Sequence, residues 1–524
     1  MRKEIQSCFN DRPVVFKILL ALFALAFTKS IFITPFTLIR GLWGVLLGIL
    51  LWVLVFVICV LALCLLRRVT WQYKPTPVAW TRVPVYMAPV LVFHTFLLLV
   101  FFPGKMSWDS MYIWHTTVLG EYTNLHPITY TIFVDFLNNF VNSPWIVIAV
   151  QFAYSSFVYA YTAYVFESMG LNRRLCWAIV AILTLYPVNF HQNVTMLKDV
   201  PYMVSLVLIS AVMLKTIVED KVSFGKLAAL LFISLIAMFS RHNAVLSIPA
   251  GFLLFILYYL SRKKTRDALK ITALLAVVMA GFFGTNKPAE HALEGDYWKR
   301  SNITDVMMMP SAQCSYTILQ NRHDMPDDLR KQAERFFQID YIYYQRDTYP
   351  NWAFNNRPLE TLNALEVEYN KIEFLRFYLN MLKTYPRDML FEYQQITGII
   401  WAIPNYGYTL YYNPGIAEYY ADIGVEYTPM LPGLAAFLDS KINIVFWLRP
   451  ALWLMLSILL LFAQPKRQGL KALCLAAPMI ANAAMFFAGT PAQNVRYFYC
   501  NFSIFLILLL YTLMKSPGRD AGAV

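Results

Sequence analysis

Five short motifs hold residue types that could move a group off a phosphate. Asp109 stands in Lys105-Met106-Ser107-Trp108-Asp109-Ser110. A carboxylate there can take a proton from a hydroxyl as it attacks an electrophilic carbon, and it can also cap a helix over Ser110–Leu119. Glu121 is the other acid close by. His126-Pro127 can bind phosphate or orient Asp109, or can form a turn with Pro127 opening a helix. Lys198-Asp199 opens an apolar segment, where a helix N-terminus favours an anion; alternatively Asp199 caps that helix and Lys198 snorkels. Arg241-His242-Asn243 lies in a tight turn between apolar segments, and arginine suits phosphate, although a polar turn needs no function. In Asn494-Val495-Arg496-Tyr497, Arg496 can clamp a phosphate or can snorkel beside an interface tyrosine.

The elements that must position these motifs are membrane spans. Only 14% of the 524 residues are charged, against roughly a quarter in a soluble chain. Runs of about 20 apolar residues cross the ~30 Å hydrocarbon core as helices, because lipid offers no partner for backbone polar groups. The pattern predicts twelve spans, at 14–35, 42–66, 83–103, 145–166, 175–190, 200–217, 226–240, 244–260, 270–285, 443–463, 470–490 and 497–514. Val14–Pro35 is too long for the apolar region of a signal peptide and reads as the first span.

Charge orients the spans. With the N-terminus (Arg2, Lys3, Arg12) in the cytoplasm, interior loops hold Arg67, Arg68, Lys74 and Arg82; Arg173 and Arg174; Lys215, Lys221 and Lys226; Arg262, Lys263, Lys264, Arg266 and Lys270; Lys466, Arg467 and Lys471; and, in the tail, Lys515 and Arg519. The short exterior segments hold only Lys29, Arg40, Lys105, Lys198, Arg241 and Arg496. This is the positive-inside pattern. It assigns the net charge of +13 to membrane orientation rather than to nucleic acid.

Four regions follow. Residues 1–82 hold two spans and a cytoplasmic loop; 83–285 form a core whose exterior loop, 104–143, ends in an apolar stretch, Ile128–Val141, that reads as an interfacial helix. Residues 286–442 form a mainly helical exterior domain with 20 of the 31 acidic residues, and 443–524 hold three spans and a cytoplasmic tail. The domain's aromatics, among them Tyr341, Tyr343, Tyr344, Tyr349, Trp352, Trp401, Tyr406, Tyr408, Tyr411 and Tyr412, suit sugar rings as well as a packed core. Of seven cysteines only Cys314 lies there, so the domain has no internal disulfide to make. Walker A, HExxH, CxxC and GxGxxG patterns are absent, which argues against a P-loop motor or a zincin.

Under this topology Asp109, His126, Lys198, Asp199, Arg241, His242 and Arg496 share one face. One base among several cations at the outer leaflet is the arrangement needed to transfer a group from a lipid phosphate.

On Trp108-Asp109-Ser110, His126-Pro127, Leu197-Lys198-Asp199, Arg241-His242-Asn243 and Arg496-Tyr497, the chain resembles the GT-C superfamily of membrane glycosyltransferases, in particular a poorly characterised bacterial branch. Tyr385-Pro386, Trp401 and Pro404 resemble that branch too. The resemblance implies a polyprenyl-phosphate-linked sugar donor, a glycan or lipid-linked acceptor, and inverting transfer, as in many members, without a metal or other cofactor; the lack of a cleavable signal peptide and the modest cysteine use fit a bacterial inner (plasma) membrane, with the site at its outer face. The resemblance also implies Asp109 as base, with Lys198, Arg241 and Arg496 holding the lipid phosphate and His126, Asp199, His242, Asn243 and Glu121 in support. Many members place the catalytic loop after the first span; here two further spans precede it. A glycan polymerase or ligase using a polyprenyl-diphosphate oligosaccharide and a lipid or oligosaccharide transporter are the alternatives. Transport predicts charged residues lining a path and often internal repeats, and the chain shows few of the first and none of the second.

Overall fold

The computed structural model describes residues 13–32, 42–66, 68–120, 122–123, 125–293, 296–321, 323–348, 361–404, 425–442, 449–464, 468–489 and 494–515. Glu121 lies outside them, as do the orienting residues Arg2, Lys3, Arg12, Arg40, Arg67, Lys466, Arg467 and Arg519 and the aromatics Tyr349, Trp352, Tyr406, Tyr408, Tyr411 and Tyr412.

The first half runs α1 (Val14–Ile31), α2 (Leu42–Leu66), β1 (Trp71–Gln72), α3 (Arg82–Val100), β2 (Lys105–Met106), α4 (Trp108–Leu119), α5 (Ile128–Asn138), α6 (Trp145–Ser168), α7 (Arg173–Leu185), α8 (Pro187–Asn193) and β3 (Thr195–Met196). It continues through α9 (Asp199–Glu219), α10 (Phe224–Ser240), α11 (Ala244–Ser261) and α12 (Thr265–Ala292). A polar region follows, with α13 (Asp296–Gln320), α14 (Asp327–Phe336), α15 (Ile339–Thr348), α16 (Ala364–Tyr369), α17 (Lys371–Thr384), α18 (Pro386–Ile396), α19 (Gly398–Trp401) and α20 (Pro432–Ile442). The chain then returns through α21 (Pro450–Ala463), α22 (Gly469–Ala488), a 3-10 turn at Val495–Tyr497, α23 (Cys500–Leu513) and β4 (Met514–Lys515).

Among the described residues, eight helices are long and apolar enough to cross a membrane: α1, α2, α3, α6, α9, α11, α12 and α22. The expected span at 175–190 is instead a pair, α7 and α8, bent by 60° where Pro187 opens the second helix. Proline lacks the N–H that a continuous helix would use at that point. Three more expected spans, α10, α21 and α23, are apolar but shorter. α12 runs past the expected limit at 285 to Ala292, and Asn286 and Lys287 both bond to Glu290 one turn on, at 2.5 and 2.6 Å.

α9 is the axis of the bundle. It is apolar all round and packs against α6, α10, α22 and α23, as a fully enclosed helix must. α1 and α2 pair at the periphery and expose much of their apolar surface, as lipid-facing helices do. A second core, built on Cys314, Phe336, Phe337, Phe374, Phe377 and Met381, lies in the helices between α12 and α20. It meets the bundle where the Tyr393 hydroxyl donates to the Phe487 carbonyl (2.8 Å) and the Ile403 N–H to the Ser30 carbonyl (2.9 Å).

The two sheets among the described residues are two-stranded and parallel, β1 with β4 and β2 with β3. In the second, Lys105 pairs with Thr195 and Met106 with Met196. Gly104 leads into it at φ +114°, and a Cβ there would run into Ile148 Cδ1 of α6. Gly104→Ala is expected to cost about 1–3 kcal/mol, read as a lower melting midpoint of the detergent-solubilised protein. An unchanged midpoint would show that this approach is not needed.

Candidate functional site

The β2–β3 pairing brings the Asp109 loop beside the Lys198 turn. Asp109 lies three residues beyond Met106, and Lys198 two beyond its partner Met196. The Ser110 hydroxyl donates to the Met196 carbonyl across the junction. From α6, Gln151 Nε2 donates to the Thr195 carbonyl (2.9 Å), while its Oε1 accepts from the Leu197 N–H (3.2 Å). Both motifs are therefore tied to backbone held from inside the bundle.

Ser107 rather than Asp109 caps α4. Its side chain accepts from the Ser110 N–H, and Ser110 Oγ accepts from the Ser107 N–H, a reciprocal capping box. The Asp109 carboxylate is thus left for other partners. Oδ2 accepts from Lys198 Nζ at 2.8 Å and lies 3.0 Å from Arg496 Nη1. Oδ1 accepts nothing among the described residues. Lys198 Nζ also donates to His126 Nδ1 at 2.5 Å, which puts the proton of the neutral imidazole on Nε2.

Asp199 occupies the first turn of α9, where a carboxylate complements the helix dipole. It pairs with Arg241 Nη1 and lies 3.7 Å from Arg496 Nε. Arg496 therefore touches both acids. The Asp199 side chain is 0% exposed and that of Asp109 22%, so only Asp109 can meet a substrate directly.

Six of the sequence motif residues thus form one cluster: Asp109, His126, Lys198, Asp199, Arg241 and Arg496. Lys198 is buried and Arg496 largely so, each in an ion pair with Asp109 rather than snorkelling. Exposed His242 lies close enough for its charge to disfavour protonation of His126. Asn243 is half-buried ahead of α11, with no side-chain cap bond. α5 takes the place of the expected interfacial helix, burying Ile128, Tyr130, Thr131 and Val134 and exposing Phe136.

Three cations face two carboxylates, leaving one positive charge in surplus. Burial pushes the Asp109 carboxyl up, but the Arg496 guanidinium and Lys198 ammonium more than reverse this and hold it well below the usual carboxylate range. Burial, reinforced by Lys198, holds His126 well below its ordinary value, so the ring is neutral. Burial brings Arg241 down to about 10, still charged at neutral pH. Burial also opposes the charge on Arg496, yet Asp109 and Tyr497 outweigh it and raise the guanidinium.

Burial lowers Lys198 from 10.5 to about 8, with Asp109 opposing the fall and Arg496 adding to it. The ammonium, the form that holds an anion, is present below that value and lost above it. Affinity for farnesyl phosphate, used as a probe anion, is therefore expected to weaken about tenfold from pH 7 to pH 9, and Lys198→Arg should flatten that dependence. A wild-type affinity constant over that range would show that Lys198 does not hold the probe. The stability contribution has the opposite sign. Between about 8 and 10.5 the unfolded lysine holds a proton that the folded one has released, so stability rises with pH there.

Sequence reasoning missed the residues that hold the cluster: Ser107, Ser110, Gln151 and Asn482, whose Nδ2 donates to the carbonyl of Tyr497 beside Arg496. Gln151 and Asn482 are uncharged polar residues within apolar helices, a signal of cost that invites explanation. Among the described residues no three of His, Cys, Asp and Glu converge as a metal-ligand set. No family model, curated protein or solved structure matches the chain.

Proposed function

We propose that this chain is a GT-C-like membrane glycosyltransferase that moves a sugar from a polyprenyl-phosphate donor to a cell-surface glycan or lipid-linked acceptor at the outer face of the membrane. The twelve-span topology with both termini cytoplasmic belongs to the same proposal. The observation that carries it is the largely buried cation set Lys198, Arg241 and Arg496 around a partly exposed Asp109 carboxylate whose Oδ1 accepts no hydrogen bond among the described residues.

In this reading the donor phosphate enters the cation set, whose surplus positive charge it offsets. It draws Lys198 and Arg496 from Asp109, and the carboxylate, released from two cations, becomes a stronger base. Asp109 Oδ1 takes the proton of the acceptor hydroxyl as that oxygen attacks the anomeric carbon. The bond from that carbon to the phosphate oxygen breaks, and the phosphate leaves with the electron pair, stabilised by the same cations. Attack opposite the leaving group inverts the anomeric centre.

The test is mass spectrometry of surface glycans from a deletion strain, with and without the wild-type gene restored. Loss of one sugar mass, recovered on complementation, is expected. A change in glycan chain length would favour a polymerase or ligase, and identical glycans in all strains would sink the transferase reading.

A further inference from the structure

Two buried guanidiniums that must act on one anion repel each other, and something must hold them in place. Arg241 Cζ lies 4.3 Å from the centroid of the Tyr497 ring and Arg496 Cζ 4.9 Å from it. Arg496 Nη2 also donates to the Tyr497 hydroxyl at 2.9 Å. Each arginine carries a buried Nε–H with no hydrogen-bond partner among the described residues. One aromatic ring thus meets both cations, leaving donor capacity on each.

The ring is itself fixed from below. Phe486 of α22 stacks on it at 4.8 Å, with 18° between the planes. Asn482, one turn earlier, donates from Nδ2 to the Tyr497 carbonyl at 2.9 Å. Asn482 Oδ1 accepts from the Tyr202 hydroxyl of α9 at 2.9 Å, and that hydroxyl shares a hydrogen bond with Ser247 of α11 at 2.8 Å. A buried polar chain from three helices therefore ends at the backbone of Tyr497.

We propose that Tyr497 is a positioning residue whose ring and hydroxyl hold Arg241 and Arg496 at a fixed spacing, so that the two guanidiniums receive one phosphate together. The inference rests on the reading of this cluster as a phosphate site. The ring face attracts cations, more strongly where water is excluded. A residue that only filled space could be replaced by another apolar side chain of similar burial.

The experiment is titration of the purified full-length protein in detergent with farnesyl phosphate, for the wild type and for Tyr497→Phe, Tyr497→Leu and Phe486→Leu, with the melting midpoint of each. Tyr497→Phe, which keeps the ring, should weaken binding about fivefold. Tyr497→Leu should weaken it roughly 30-fold, or about 2 kcal/mol at ~1.4 kcal/mol per tenfold. Should Tyr497→Leu fail to fold, Phe486→Leu leaves Tyr497 in place and removes both the ring stacked on it and that ring's own contact with Arg241 at 5.1 Å, with about a threefold loss expected. Wild-type affinity in a folded Tyr497→Leu protein, or equal losses for Phe and Leu, overturns the positioning role. A wild type that does not bind farnesyl phosphate overturns the phosphate-site reading, and this inference with it.

Discussion

Asp109→Asn should lower transfer by about 10²–10⁴-fold, the usual worth of a general base, while tightening the hold on farnesyl phosphate. The two effects have one cause. In the free protein Asp109 Oδ2 occupies Lys198 Nζ at 2.8 Å and Arg496 Nη1 at 3.0 Å, the donors that a phosphate needs. On the transferase reading, the carboxylate is therefore an internal competitor for the phosphate. An amide of the same shape removes that competition and leaves no carboxylate at that position to take the acceptor's proton. Tighter binding by about tenfold, close to 1.4 kcal/mol, is expected.

Stability moves the other way. Breaking a buried ion pair costs ~3–5 kcal/mol; Asp109 is 22% exposed, so water offsets part of that cost. The mutant should melt lower in buffer and recover when farnesyl phosphate is added. Full transfer activity in Asp109→Asn would end its role as base. Weaker probe binding by a folded mutant would show that Asp109 does not compete with the phosphate.

The membership of this cluster was largely legible in the sequence because charge decides it. The orientation expected from Lys and Arg in the remaining loops puts Asp109, His126, Lys198, Asp199, Arg241 and Arg496 on one face, and the structure brings those six side chains together. The pairing within that face was not legible. Nothing in the chain order says that Asp199 sits with Arg241 while Lys198, its neighbour, turns to Asp109 and His126. That follows from the helical start at Asp199, which sends successive side chains in different directions, and from a two-residue ladder too short to show a strand period. The supports were harder still. Gln151 and Asn482 carry no charge, so a count of charged residues passes over them.

The same contrast runs through the fold. α2, without a charged residue from Leu42 to Leu66, is where hydropathy places it. Where the signals compete, boundaries move. Apolar sequence continues through Tyr186-Pro187, but the proline bends the path by 60°. Polar residues begin before the end of α12, but pairs one turn apart carry the helix to Ala292. Hydropathy measures what can lie in lipid, whereas the backbone stops where its hydrogen bonds stop.

Arg496→Ala should lower farnesyl phosphate affinity by about 10²–10³-fold, since truncating one member of a buried, hydrogen-bonded charge pair costs ~2–5 kcal/mol. Among the described residues, Arg496 is the one guanidinium with an ion-pair contact to each acid, at 3.0 Å to Asp109 and 3.7 Å to Asp199. Its loss leaves Lys198 and Arg241 facing two carboxylates, so the surplus charge that attracts a phosphate disappears. Arg496→Lys restores the charge but not the fork that reaches both acids and Tyr497, and should recover only part of the affinity. The double variant Asp109→Asn with Arg496→Ala separates charge balance from chemistry. Removing one charge of each sign returns the cluster to its original surplus, so the pair should melt above Arg496→Ala alone, with a coupling of about 1–3 kcal/mol between the sites. Transfer should stay no higher than in Asp109→Asn alone, because the proton acceptor is gone. Additive melting shifts would show that the two side chains do not share an electrostatic balance, and wild-type probe affinity in Arg496→Ala would place the phosphate elsewhere.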